Sequence, residues 1–117
     1  MNLLELAERV EKAERSNEFL DAEIDLIVQP DWGGDAPLYT HSLDAAMQLV
    51  PEDTDDTAWF WTVGHDGDGP DPSEFKARLL GARAFSAQIE TVSTGATPAL
   101  ALTAAALRAR AAMEDAR

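Results

Sequence analysis

The apolar residues of this chain change their spacing twice, and that change limits the folds open to it. Up to Val50 they recur at intervals of three and four, from Thr57 they alternate, and after Thr97 the helical interval returns. A block of helices, then a block of strands joined by short connections, then a helix is the pattern of an α+β fold with an antiparallel sheet.

Leu3, Leu6, Ala7, Val10 and Ala13 predict an amphipathic helix over 3–15, with Glu5, Glu8, Arg9, Glu11, Lys12 and Arg15 on its outer face. Glu8–Lys12 and Glu11–Arg15 stand at the favourable i,i+4 spacing. Ser16-Asn17 breaks the helix or caps the next one. The spacing predicts that second helix over 18–28, with Leu20, Ile24, Ile27 and Val28 inward and Glu23 leaning on the core beside them. Two short helices with a tight joint suggest an αα-hairpin. Residues 29–41 read as a loop broken by Pro30, Gly33-Gly34 and Pro37. Ser42 then caps a short helix whose apolar side is Leu43, Ala46, Met47 and Val50, and Pro51 ends it.

Residues 57–64 read as a strand with Trp59, Trp61 and Val63 on one side and Ala58, Phe60 and Thr62 on the other. Both sides are apolar, so this strand should be covered on both. A second strand over 75–80 turns Phe75, Ala77 and Leu79 inward and Lys76 and Arg78 outward, and Gly81 marks the following turn. A third over 84–92 turns Phe85, Ala87 and Ile89 inward and Ser86, Gln88 and Glu90 outward, with Thr94-Gly95 closing the sheet. Thr97-Pro98 is a cap and first-turn proline together, and opens a helix to about Asp115 with a stripe of Leu100, Ala104, Leu107 and Ala111. Its region carries ten alanines between Ala96 and Ala116, which allow close packing against a sheet. The expected architecture is one α+β domain over 1–117, a three-stranded antiparallel sheet with helices packed on both sides in an α/β/α sandwich-like arrangement. Strands two and three are apolar on one face only, so a second helical layer has reason to cover strand one alone.

Size and composition agree with a folded domain. A chain of 117 residues is one domain by size and buries roughly two thirds of its unfolded surface. The apolar fraction of 45% argues against disorder. No cysteine is present, which excludes disulfides, thiolate metal sites and cysteine catalysis and permits a reducing compartment. The start, Met1-Asn2-Leu3-Leu4-Glu5, lacks the basic opening and unbroken apolar stretch of a signal peptide. The most apolar run, Ala99 to Leu107, is far short of the ~20 residues that cross a bilayer. The expectation is a cytoplasmic protein without a membrane span.

Charge is the feature that bears on function. From Ser16 to Phe75 the chain runs sixty residues without a lysine or arginine and places fifteen acids, more than the whole net charge of −13. Folded surfaces ordinarily mix signs, so such a block speaks of partners or environment. It disfavours direct binding of nucleic acid or anionic membranes, which needs cationic side chains, and favours a basic protein partner. Solubility, or life in a salty cytoplasm, is the competing explanation.

Three segments together carry a family resemblance. They are Tyr39-Thr40-His41-Ser42-Leu43-Asp44-Ala45-Ala46 with Leu49-Val50-Pro51, then Trp59-Phe60-Trp61-Thr62-Val63-Gly64, then Ala96-Thr97-Pro98-Ala99-Leu100-Ala101-Leu102 with Ala105-Ala106-Leu107-Arg108-Ala109. In this order they resemble the phage ABA sandwich domain, a family of small phage and prophage proteins. The resemblance covers roughly the C-terminal two thirds of the chain. It implies a sheet layered with helices and a phage or prophage origin, and it carries no catalytic residues.

The residues singled out for partner binding are Glu18, Asp21, Asp25, Trp32, Asp35, Tyr39, Asp53, Asp55, Asp56, Asp66, Asp68 and Asp71. Trp32 and Tyr39 lie in a polar loop, where large aromatics are either anchored back onto the core or offered to a partner. Glu52, Asp53, Asp55 and Asp56 form a loop with no local counter-charge and no evident part in helix or strand. The loop Asp66-Gly67-Asp68-Gly69-Pro70-Asp71 has the alternating acids of a calcium loop but places Pro70 at the next ligand position, so a solvated turn explains it better. His41 beside Ser42 and His65 beside Asp66 are the only histidines and the only candidate bases. No nucleophile elbow, phosphate-binding loop or His-Glu-x-x-His is present. No cofactor, metal site or enzymatic activity is therefore expected. The function expected is that of an acidic binding protein of phage origin. In its sharpest form it mimics nucleic acid and inhibits a basic host defence protein, as anti-CRISPR and anti-restriction proteins do. The alternatives are an accessory or structural phage protein whose charge serves solubility, and a hydrolase or metal enzyme built on His65–Asp71.

Overall fold

The structure, a computed structural model, describes residues 2–28, 37–54, 57–65, 74–84 and 88–115. In chain order the elements are α1 (Leu3–Lys12), α2 (Glu18–Val28), α3 (Leu43–Met47), β1 (Thr57–His65), β2 (Phe75–Arg83), β3 (Ile89–Gly95) and α4 (Pro98–Asp115). The three strands form one antiparallel sheet in the order β1-β2-β3, and helices pack against it, as the change of period requires. Among the described residues no helix is long and apolar enough to cross a membrane.

The helix starts are where their cap residues put them. Asn2 accepts from the Glu5 N–H, Ser42 from the Ala45 N–H and Thr97 from the Leu100 N–H. Asn17 resolves the Ser16-Asn17 ambiguity as a cap, its carboxamide oxygen accepting from the Phe19 and Leu20 N–H groups at the start of α2. Each such bond satisfies a donor that the helix itself leaves open. Replacing Thr97 by alanine is expected to lower stability by about 1 kcal/mol, read from chemical denaturation.

α4 is the centre of the molecule. Residues 99–107 are buried without a break, so no side of the helix faces water there. A helix apolar on every face belongs inside: Leu100 and Leu107 project to one side of it and Leu102 to the opposite side, all into one core. On one side α4 packs against β3 and β2, and on others against α1 and α3. Polar ties join it to β3, to α1 and to the segments flanking α3. Thr103 donates to the Tyr39 carbonyl at 3.0 Å, and Arg110 to the Leu49 carbonyl at 2.7 Å. The Ala105 carbonyl accepts from Thr91 of β3 at 3.0 Å, and Arg108 pairs with Glu11 of α1.

This position decides the layering. The sheet has one covered face and one that no described helix covers. Trp59, Ala77, Leu79, Ile89 and Ser93 are buried toward α4, while Phe60 on the other face is 59% exposed, alongside Thr62, Arg78, Glu90 and Val92. The expectation that β1 is covered on both sides is corrected here. α1 and α3 pack on α4, which has no polar side to leave in water, and α1 also reaches β3.

Two glycines sit where a strand meets a close neighbour. Gly81, expected in a turn, sits within β2 opposite Trp59, and a Cβ placed on it would lie 2.8 Å from the indole ring. The strand continues through Gly81 to Arg83 because the glycine makes room for that ring. The third strand consequently starts later than expected, at Ile89, and includes Thr94 and Gly95. Gly95 lets β3 approach the first turn of α4, where an added Cβ would stand 2.6 Å from the Ala101 nitrogen.

Candidate functional site

The polar heart of the molecule is where α2 holds the chain entering α3. The inner side of α2 carries Leu20 and Ile24, and also Asp21 and Asp25, which are 2% and 6% exposed. Buried carboxylates require partners. One oxygen of Asp21 accepts from the Thr40 N–H at 2.7 Å, and the other meets His41 Nδ1 at 2.9 Å. Asp25 accepts from the Tyr39 hydroxyl at 3.0 Å. Thr40 Oγ1 accepts from the Asn17 N–H at 2.9 Å and donates to the Asn17 carbonyl at 3.3 Å.

These positions correct part of the expected binding surface. Asp21 and Asp25 are buried ligands of the 39–41 segment rather than outward charges, because α2 needs polar groups there to hold a backbone turn that has no strand or helix to pair with. Tyr39 is anchored on the core, fully buried, with its hydroxyl on Asp25. Asp53 is exposed but has a structural part, accepting from the Trp59 N–H at 2.7 Å and so fixing the entry to β1. Glu18 is exposed, as expected. Glu23 is half-buried and pairs with Arg9 of α1. Trp32, Asp35, Asp55, Asp56, Asp66, Asp68 and Asp71 lie outside the described residues, and so does the side chain of His65.

Burying Asp21 and Asp25 turns the opposite side of α2 outward, and that side is apolar. Phe19 is 80% exposed and Leu26 70%, with Ala22 exposed between them. At 100° per residue, positions 19, 22, 23 and 26 fall within one narrow stripe opposite Ile24. Glu18 flanks the stripe and Glu23 lies within it. The signal was present in the sequence: Asp21 and Asp25 occupy the same helical side as Ile24 and Val28, and Phe19 and Leu26 the other.

A cleft of about 360 Å³ opens on the other side of the Asp21–His41 pair, lined by Arg15, Ser16, Thr40, His41, Leu43 and the first residues of α4. Comparison of the chain with protein-family models, with curated proteins and with solved structures gives no match. The resemblance to the phage ABA sandwich domain rests on the residues quoted above.

Proposed function

We propose that this chain is a small acidic binding protein that engages a basic partner through the outer side of α2. The observation that carries the reading is the inversion of that helix, with Asp21 and Asp25 inside and Phe19 and Leu26 outside. An exposed Phe and Leu two turns apart on one stripe, in a surface otherwise rich in acids, supply apolar anchors within an acidic field. The whole helix lies in the sixty-residue block without lysine or arginine, so its complement is an amphipathic basic segment, apolar along one side. Phage origin and inhibition of a host defence protein are the finer form of the proposal. A pure mimic of nucleic acid would act through carboxylates alone, and the α2 stripe favours mixed recognition over that form.

Two synthetic peptides of equal charge separate these readings, an amphipathic lysine-leucine helix and an oligolysine. The amphipathic peptide is expected to bind in calorimetry, more weakly as salt rises. The double variant Phe19→Ser, Leu26→Ser is expected to lose at least about tenfold in affinity, since each anchor contributes on the order of 1.5–3 kcal/mol when fully buried. Its melting temperature should hardly move, because both side chains are exposed in the free protein. Equal binding of the two peptides, indifferent to the variant, would instead favour the charge-only mimic. No binding of either peptide would overturn the basic partner.

A further inference from the structure

We propose that the cleft between the end of α1, the 40–43 segment and the start of α4 binds a small oxyanion, the phosphate of a monoester or a carboxylate, through Arg15 and His41. The inference stands apart from the α2 surface and does not depend on it.

The ring of His41 is held at one end. Its Nδ1 lies 2.9 Å from a carboxylate oxygen of Asp21, and Asp21 is fixed in turn by the Thr40 N–H. With Nδ1 committed to a buried carboxylate, Nε2 is the nitrogen left for a ligand. The side chain of His41 is 31% exposed and that of Asp21 is 2% exposed, so the pair is open at the histidine end alone. A buried acid that orients a histidine at a cavity wall is the arrangement by which proteins fix a ring for ligand contact.

Arg15 supplies the charge. It lines the same cleft and pairs with no acid among the described residues, whereas Arg9 and Arg108 are each engaged by a glutamate. A guanidinium offers two parallel N–H groups to a pair of oxygens on phosphate or carboxylate. Ser16, which lines the cleft beside Arg15, adds a hydroxyl. Ala99 also lines it, at the second position of α4, where helix N–H groups have no partner within the helix. A volume of about 360 Å³ is at the small end of the usual range for ligand pockets, which suits a monoester or a short acid rather than a polymer. A phosphate monoester fits His41 in either protonation state, since its P–OH can donate to a neutral Nε2 and its anionic oxygens can accept from a charged one.

The test is a nuclear magnetic resonance titration of the two histidine rings with inorganic phosphate and, separately, with acetate, at constant ionic strength. The expected result is a saturable shift of the His41 ring with His65 as the internal control. Arg15→Gln should weaken that binding at least about tenfold while leaving the melting temperature unchanged, since Arg15 is exposed. His41→Gln, followed through the backbone amides of Ser16 and Ala99, should weaken it as well. Saturation by phosphate alone assigns the cleft to phosphate ligands, and saturation by acetate assigns it to carboxylates. A linear response to both anions, or one unchanged in Arg15→Gln, would overturn the site.

Discussion

Trp59→Ala is expected to cost about 3–5 kcal/mol, the range for removing a large aromatic from a core. The indole lies over Gly81 of the neighbouring strand, so its removal empties space that nothing else fills. Gly81→Ala in the native background should itself cost about 1–3 kcal/mol, since the new methyl meets the end of a rigid ring 2.8 Å away. In the Trp59→Ala background the same methyl enters vacated space, and its penalty should largely disappear. A double-mutant cycle by urea denaturation checks this, and strict additivity of the two changes would contradict the packing of Trp59 on Gly81.

Leu107→Ala is expected to cost about 2–5 kcal/mol, the usual range for emptying a fully buried leucine site. Its effect should not be confined to one layer. α4 is shared by the sheet and by the helices behind it, so amides of β2 and of α1 should lose protection together in hydrogen exchange. Loss of protection in α1 alone would mean that the two layers are held by separate cores.

The sequence made some of this legible and hid the rest for physical reasons. Caps were legible because they act within three or four residues: Ser42 and Thr97 bond N–H groups of their own first turns. Strand parity was legible for β1 and β2, where Trp59, Trp61 and Val63 of one strand and Ala77 and Leu79 of the next share the face turned to α4, because alternation is a property of the strand itself. Gly81 was misread because a glycine beside a turn and a glycine beneath an indole look alike until the opposite strand is known. The bounds of β3 shifted with it, while Ile89 inward and Glu90 outward held. Asp21 and Asp25 were read as surface because carboxylates are seldom buried unless paired, and their partners at 39–41 lie 14 to 20 residues on. Glu18 needed no distant partner and was read correctly. The cleft was out of reach, since Arg15, His41 and Ala99 meet only after α4 has docked.

The helix that fills the interior also follows the other described elements in chain order, so it is synthesised after them. A ribosome making this chain emits α1, α3 and the whole sheet before the side chains of α4, against which they pack, exist. At about 5–20 residues per second, the span from β1 to the end of α4 keeps the covered face of the sheet open for several seconds. During that time Trp59, Leu79 and Ile89 have no place to go, and the dense negative charge of residues 16–75 keeps neighbouring nascent chains apart. The acidity proposed above for recognition by the finished protein would thus also protect the unfinished one.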